Sequence, residues 1–194
     1  MEIIFATGNK NKLREVRSML PSHIKVLSLE DIGFEGDIEE TESTIEGNSL
    51  LKARTIFDIY KQPVLAEDTG LEVSALNNEP GVRSARYAGD EATAEQNMEL
   101  LLSRMEGIEK RSAQFKTCAT FVTEAGSYRC YEGIIRGEIT TAKRGSGGFA
   151  YDPIFKPAGF SKVFAELSEE EKNFISHRAL AINKFVNFLS NSSR

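Results

Sequence analysis

The chain opens with an apolar stretch, Glu2 to Ala6, that runs into Thr7-Gly8-Asn9 and then into an amphipathic segment, Lys10 to Leu20, ended by Pro21. A strand, a glycine turn and a helix in direct succession form the start of an α/β unit. Leu13, Val16 and Leu20 share the helical face, and Ile24 to Leu29 reads as the next strand. Ser43 and Glu46 have capping-box spacing for a helix to about Tyr60, with Leu50, Ala53 and Phe57 on its buried face. Val64-Leu65-Ala66 is a brief buried strand. It is expected to deliver Glu67-Asp68-Thr69-Gly70 to its C-terminal end, where ligands bind in open α/β sheets. Leu71 to Leu76 alternates as a second strand would, and Asn77 to Gly81 is a dense turn signal.

Further on, Thr93 and Gln96 form a capping box for a helix carrying Met98, Leu101, Leu102 and Met105, with Gly107 as its stop. Arg111 to Thr123 and Tyr128 to Ile135 read as a hairpin, with Gly137 to Ala142 continuing the sheet. Ser168 and Glu171 open a last helix with Ile175, Ala179, Ile182, Val186 and Leu189 on one stripe, followed by a polar tail, Asn191 to Arg194. The expected architecture is α/β, with an elongated mixed β-sheet flanked by helices. One domain spans residues 1–194. One lobe is expected at about 1–70 plus 143–194 and a second at about 71–142.

With 24 Lys and Arg against 29 Asp and Glu, the 194-residue chain carries a net charge of −5. A duplex-DNA binder normally has a basic footprint, so no nucleic-acid partner is expected. No apolar run approaches the ~20 residues of a membrane helix. The N-terminus turns basic after its apolar stretch, the reverse of a signal peptide, so the expectation is a cytoplasmic protein with no membrane partner. Cys118 and Cys130 lie 12 apart with no C-x-x-C. That spacing suggests neither a zinc site nor a disulfide framework, only small buried or half-buried thiols.

Four constellations can carry chemistry. Thr7, Gly8, Asn9, Lys10, Asn11 and Lys12 combine a helix N-terminus with lysines and amides, which suits phosphates; the alternative is a solvated capping turn. Glu67 and Asp68 suit Mg²⁺ or a general base, or else cap a turn; Glu39 and Glu40 in the acidic stretch 30–42 can add a carboxylate or remain solvated. The loop from Gly145 to Asp152 loosely matches a dinucleotide fingerprint. Asp152-Pro153 stands where the helix should begin, so that reading fails. Its glycines beside Phe149 and Tyr151 suit either a flat ligand or a long turn over core aromatics. Finally, at ~100° per residue His177 lies ~200° from Ile175, opposite the apolar stripe of the last helix, so it meets solvent or a cleft. Arg178 flanks the stripe, and Lys172 stands one turn earlier. There is no P-loop, H-E-x-x-H or G-x-S-x-G, which favours metal-assisted attack by water over covalent catalysis.

These segments, in this order, resemble the inosine triphosphate pyrophosphatase family. The carrying segments are 5–12 (FATGNKNK), 67–71 (EDTGL), 80–89 (PGVRSARYAG), 147–153 (GGFAYDP) and 176–178 (SHR), so the match covers nearly the whole chain. The resemblance implies hydrolysis of ITP, dITP and XTP to the monophosphate and pyrophosphate with Mg²⁺, by a homodimer of two-lobed subunits with a central nucleotide cleft. It implies that Thr7 to Lys12 and Lys52 hold the triphosphate. Asp68 is then metal ligand and general base, with Glu67 beside it, Thr69 on the substrate, and either Glu39 or Glu40 as a second metal carboxylate. Phe149 stacks on the purine within the Phe149-Ala150-Tyr151-Asp152 loop, Asp152 fixes the nucleotide, and Lys172, His177 and Arg178 read the base.

Overall fold

The computed structural model describes residues 1–192; Ser193 and Arg194, the end of the expected tail, lie outside the described residues. The elements are β1 (Glu2–Phe5), α1 (Lys10–Met19), β2 (Lys25–Leu27), α2 (Ile45–Tyr60), β3 (Val64–Val73), β4 (Pro80–Gly81), α3 (Ala94–Arg104), β5 (Ser112–Val122), β6 (Tyr128–Ile139), β7 (Phe155–Pro157), α4 (Glu169–Ile175) and α5 (His177–Ser192). The strands form one seven-stranded sheet in the order β2-β1-β3-β5-β6-β7, with β4 added beside β3. β1 pairs parallel with β2 and β3, whereas β3–β4 and β6–β7 are antiparallel, so the sheet is mixed and the chain is α/β as expected.

The chain divides into two compact units. The first holds Met1–Asp68, Thr117–Gly133 and α5 from Arg178 onward. Alternation along its strands sets its two cores. Ile3, Phe5 and Leu65 face α1 and α5, packing on Val16, Ile182 and Phe185. Ile4, Ala6, Val64 and Ala66 face α2, packing on Ala53, Ile56 and Phe57. Being covered on both faces explains why β1 reads as a continuous apolar run.

The second unit holds Thr69–Lys116 and Ile134–His177. Leu71, Val73, Leu101, Met105, Phe115, Phe155 and Phe164 form its core. Phe115 meets Phe155 edge-on at 4.7 Å between ring centroids. Gly137 is required where β6 meets β7, because a Cβ there would lie 2.2 Å from the Lys156 carbonyl oxygen. This division differs from the expected lobes, since 143–177 group with the second unit and 117–133 with the first. The reason is the length of β5, whose Ala113 and Phe115 enter one core while Ala119 and Phe121 enter another.

Three local expectations are corrected. β3 is one ten-residue strand, not two strands around a turn, so Glu67 to Gly70 lie inside it. The N-cap of α2 is Thr44, whose hydroxyl accepts from the Gly47 amide at 2.9 Å, instead of Ser43. The last helix breaks at Ser176, which is extended at ψ 157°, so the expected stripe divides: Ile175 packs on the second unit's core, and Ile182, Val186 and Leu189 on the first's. The boxes Thr93/Gln96 and Ser168/Glu171 form as expected.

Candidate active site

In the first unit, the turn after β1 positions α1. Asn9 is its N-cap, and its side-chain oxygen accepts from the amides of Asn11 (2.9 Å) and Lys12 (3.2 Å). The Thr7 hydroxyl accepts from the Asn9 amide at 3.1 Å. Part of the expected anion-binding backbone is therefore already used by the turn itself. Gly8, Asn9 and Lys10 remain exposed, and a Cβ at Gly8 would meet nothing within 4 Å. Lys12 reaches inward, with its ammonium 3.1 Å from Glu67.

Glu67 and Asp68 are adjacent on β3 and so point to opposite faces. Glu67 points to α1 and α5. Its oxygens accept from Arg178 Nε at 2.7 Å and Nη2 at 2.9 Å, and Arg178 also pairs with Glu15 of α1. Arg178 is only 1% exposed. Burial alone would raise the Glu67 carboxyl, but Arg178 and Lys12 outweigh it and hold it well below the carboxylate range. This corrects the expectation of Glu67 as a metal ligand: both oxygens already accept from cations.

Asp68 points to α2 and the acidic loop. Its Oδ1 lies 3.2 Å from Lys52 Nζ, and the same ammonium lies 2.7 Å from Glu40. Asp68 Oδ2 is buried and has no hydrogen-bond partner among the described residues. Burial raises the Asp68 carboxyl above its ordinary value, with Lys52 and Lys12 opposing and the Glu40 charge adding to the rise. Burial would lower Lys52, yet Asp68 and Glu40 keep it raised and charged. Two carboxylates thus share one ammonium, and one buried acceptor has no partner. That donor set fits a hard divalent cation such as Mg²⁺, which takes one or two carboxylates. Of the two acidic-loop alternatives, Glu40 is the one in this group; Glu39 is exposed. Thr69 is half-buried, one residue beyond Asp68.

In the second unit, the glycine-rich loop folds over Asp152. Gly148 has φ +73°, and a Cβ there would lie 2.2 Å from Asp152 Oδ2. The same oxygen accepts from the Phe149 amide at 2.7 Å and from Lys172 Nζ at 2.8 Å. Lys172 Nζ also stands 4.5 Å from the centroid of the half-buried Phe149 ring. Ala150 has a left-handed φ of +52°. The loop therefore joins a ring, a carboxylate and an ammonium.

Two open alternatives narrow. Tyr151 is a core residue, 2% exposed, with its hydroxyl donating to the Ser84 carbonyl at 2.8 Å and pushed up by burial. His177 does not meet solvent: it is 4% exposed and stacks on Phe115 at 4.6 Å. The break at Ser176 resets the helical phase, so an angle measured from Ile175 does not apply. Glu15 was missed altogether. Its i, i+3 spacing from Lys12 was the available signal, since it puts both on one side of α1.

A family model described as the Ham1 family matches residues 3–188. The dITP/XTP pyrophosphatase of Flavobacterium johnsoniae is 52% identical over 190 residues, covering 98% of each chain. That of Porphyromonas gingivalis is 46% identical over 189 residues, covering 97% of each. The Ham1 protein of Staphylococcus aureus superposes with a TM-score of 0.91 at 38% identity, covering 99% of this chain and 100% of its own. With one model spanning both units and relatives matched over nearly their full length, the chain belongs to the Ham1 family.

Proposed function

We propose that this protein is a Mg²⁺-dependent pyrophosphatase that hydrolyses ITP, dITP and XTP to the monophosphate and pyrophosphate, clearing deaminated purines from the nucleotide pool. The carrying observation is the Asp68–Lys52–Glu40 group with its unpartnered buried Asp68 oxygen. The relatives' dITP/XTP pyrophosphatase activity supports the substrate class.

Asp68 and Glu40 would hold Mg²⁺, which when bound supplies positive charge to the phosphates. Asp68 Oδ2 accepts the proton of the attacking water. Lys10, Lys12 and Lys52 neutralise the triphosphate and the leaving pyrophosphate. In the second unit Phe149 stacks on the purine, and Asp152 and Lys172 fix it. His177 of the same unit completes the base-reading set, whereas Arg178, expected to read the base, spends its guanidinium on Glu67 and Glu15 in the first unit and holds Glu67 in place instead. Donors aimed at a 6-oxo group face a 6-amino donor in adenine, and an unpaired buried polar group costs ~1–3 kcal/mol. The reading includes a cytoplasmic homodimer. No helix among the described residues is long and apolar enough to cross a membrane.

The test is pyrophosphate release from ITP, XTP, dITP, GTP, ATP and dTTP, with Mg²⁺ or EDTA. Release from the first three, abolished by EDTA, is expected. Equal release from ATP would overturn the base-reading roles, and tight ITP binding without turnover would favour a nucleotide sensor.

A further inference from the structure

Within the first unit a second group of ligand atoms takes no part in the proposed reaction. The side chains of Glu46, Cys118 and Glu132 bring one ligand atom each within 4.8 Å of one another. Cys130, two residues before Glu132 on β6, is hydrogen-bonded to Cys118. The four donors come from three elements: the first turn of α2, β5 and β6. α2 is fixed against the strands next to them. Ser49, one turn after Glu46, donates to the Ala66 carbonyl at 3.3 Å and lies 2.9 Å from the Thr120 hydroxyl, two residues after Cys118.

We propose that Glu46, Cys118, Cys130 and Glu132 form a binding site for a thiophilic divalent cation, with Zn²⁺ as the best-matched ion. Two sulfurs and two carboxylates make a four-donor set of mixed softness, which suits Zn²⁺ and is a poor match for Mg²⁺. Cys118 is buried, while Cys130 and Glu46 are exposed, so an ion has a route in from solvent. On binding, each thiol releases its proton to solvent and both sulfurs coordinate as thiolates. The spacing of the two cysteines does not reveal this, because half of the donors are carboxylates and one of those comes from a helix far away in sequence.

The experiment titrates the reduced, metal-free full-length protein with Co²⁺, followed by absorbance, and then displaces it with Zn²⁺. The expected result is a sulfur-to-cobalt band saturating at one ion per chain and lost on adding Zn²⁺. Cys130→Ser and Glu132→Gln, both off the buried core, should weaken Zn²⁺ binding by at least the ~10–100-fold seen when a group beside a metal ligand is removed. Asp68→Ala should leave the band intact, separating this site from the proposed Mg²⁺ group. Absence of the band in the unsubstituted protein would overturn the proposal, as would a band unchanged in both Cys130→Ser and Glu132→Gln.

Discussion

Glu67 and Asp68 share one strand but keep different company. Glu67 is met by Arg178 and Lys12, so its charge is fully answered. Asp68 divides a single ammonium with Glu40 and keeps one buried oxygen unpartnered. Accordingly the first carboxyl is pulled below its ordinary range and the second pushed above it. Charge balance separates a carboxylate that holds the fold together from one poised for a cation or a proton, although the two are adjacent in sequence.

The contrast can be broken most forcefully at Asp68. Asp68→Ala should cost roughly 10²–10⁴-fold in turnover, the range of a lost general base, with the melting temperature unchanged or higher. A large drop in stability would reverse the comparison. Glu67→Ala should do the opposite first: about 3–5 kcal/mol of stability lost in a denaturant titration, because Arg178 stays buried with one partner fewer.

Acid sharpens the same difference. The depressed Glu67 carboxyl contributes stability that is present above its unfolded value near 4.5 and is lost as pH falls toward its lower folded value. Unfolding followed from pH 6 to pH 2 should therefore steepen below about 4.5, and Glu67→Gln should flatten that dependence. The raised Asp68 carboxyl has the opposite sign, so Asp68→Asn should not flatten it. The smallest effect is expected in the second unit. Phe149→Ala should raise KM for ITP by the equivalent of ~1–3 kcal/mol of lost base stacking, with the melting temperature nearly unchanged.

What could be read from the sequence was what is decided locally. The helices, the caps at Thr93 and Ser168, and the alternating strands depend on neighbours a few residues away. Asp68 was singled out by its type and place, one of two adjacent carboxylates after a short buried strand, whereas Lys52 was named only through the family resemblance. The continuity of β3 was not, because a buried Glu67 is tolerable only with Arg178, 111 residues on. Tyr151 likewise becomes a core residue through Ser84, 67 residues away. The break at Ser176 has no proline or glycine to announce it, and it removes the solvent alternative for His177.

The strand order has a consequence for how copies of the folded chain meet. The sheet ends on one side in β2 and on the other in β7, each of three residues. β7 finishes in Pro157, which lacks an amide hydrogen to offer a further strand. β2 begins with Lys25, whose charged side chain is paired with Glu2 of β1. Short, charged or proline-ended edges make poor templates for intermolecular pairing, so the seven-stranded sheet carries its own protection against edge-to-edge aggregation.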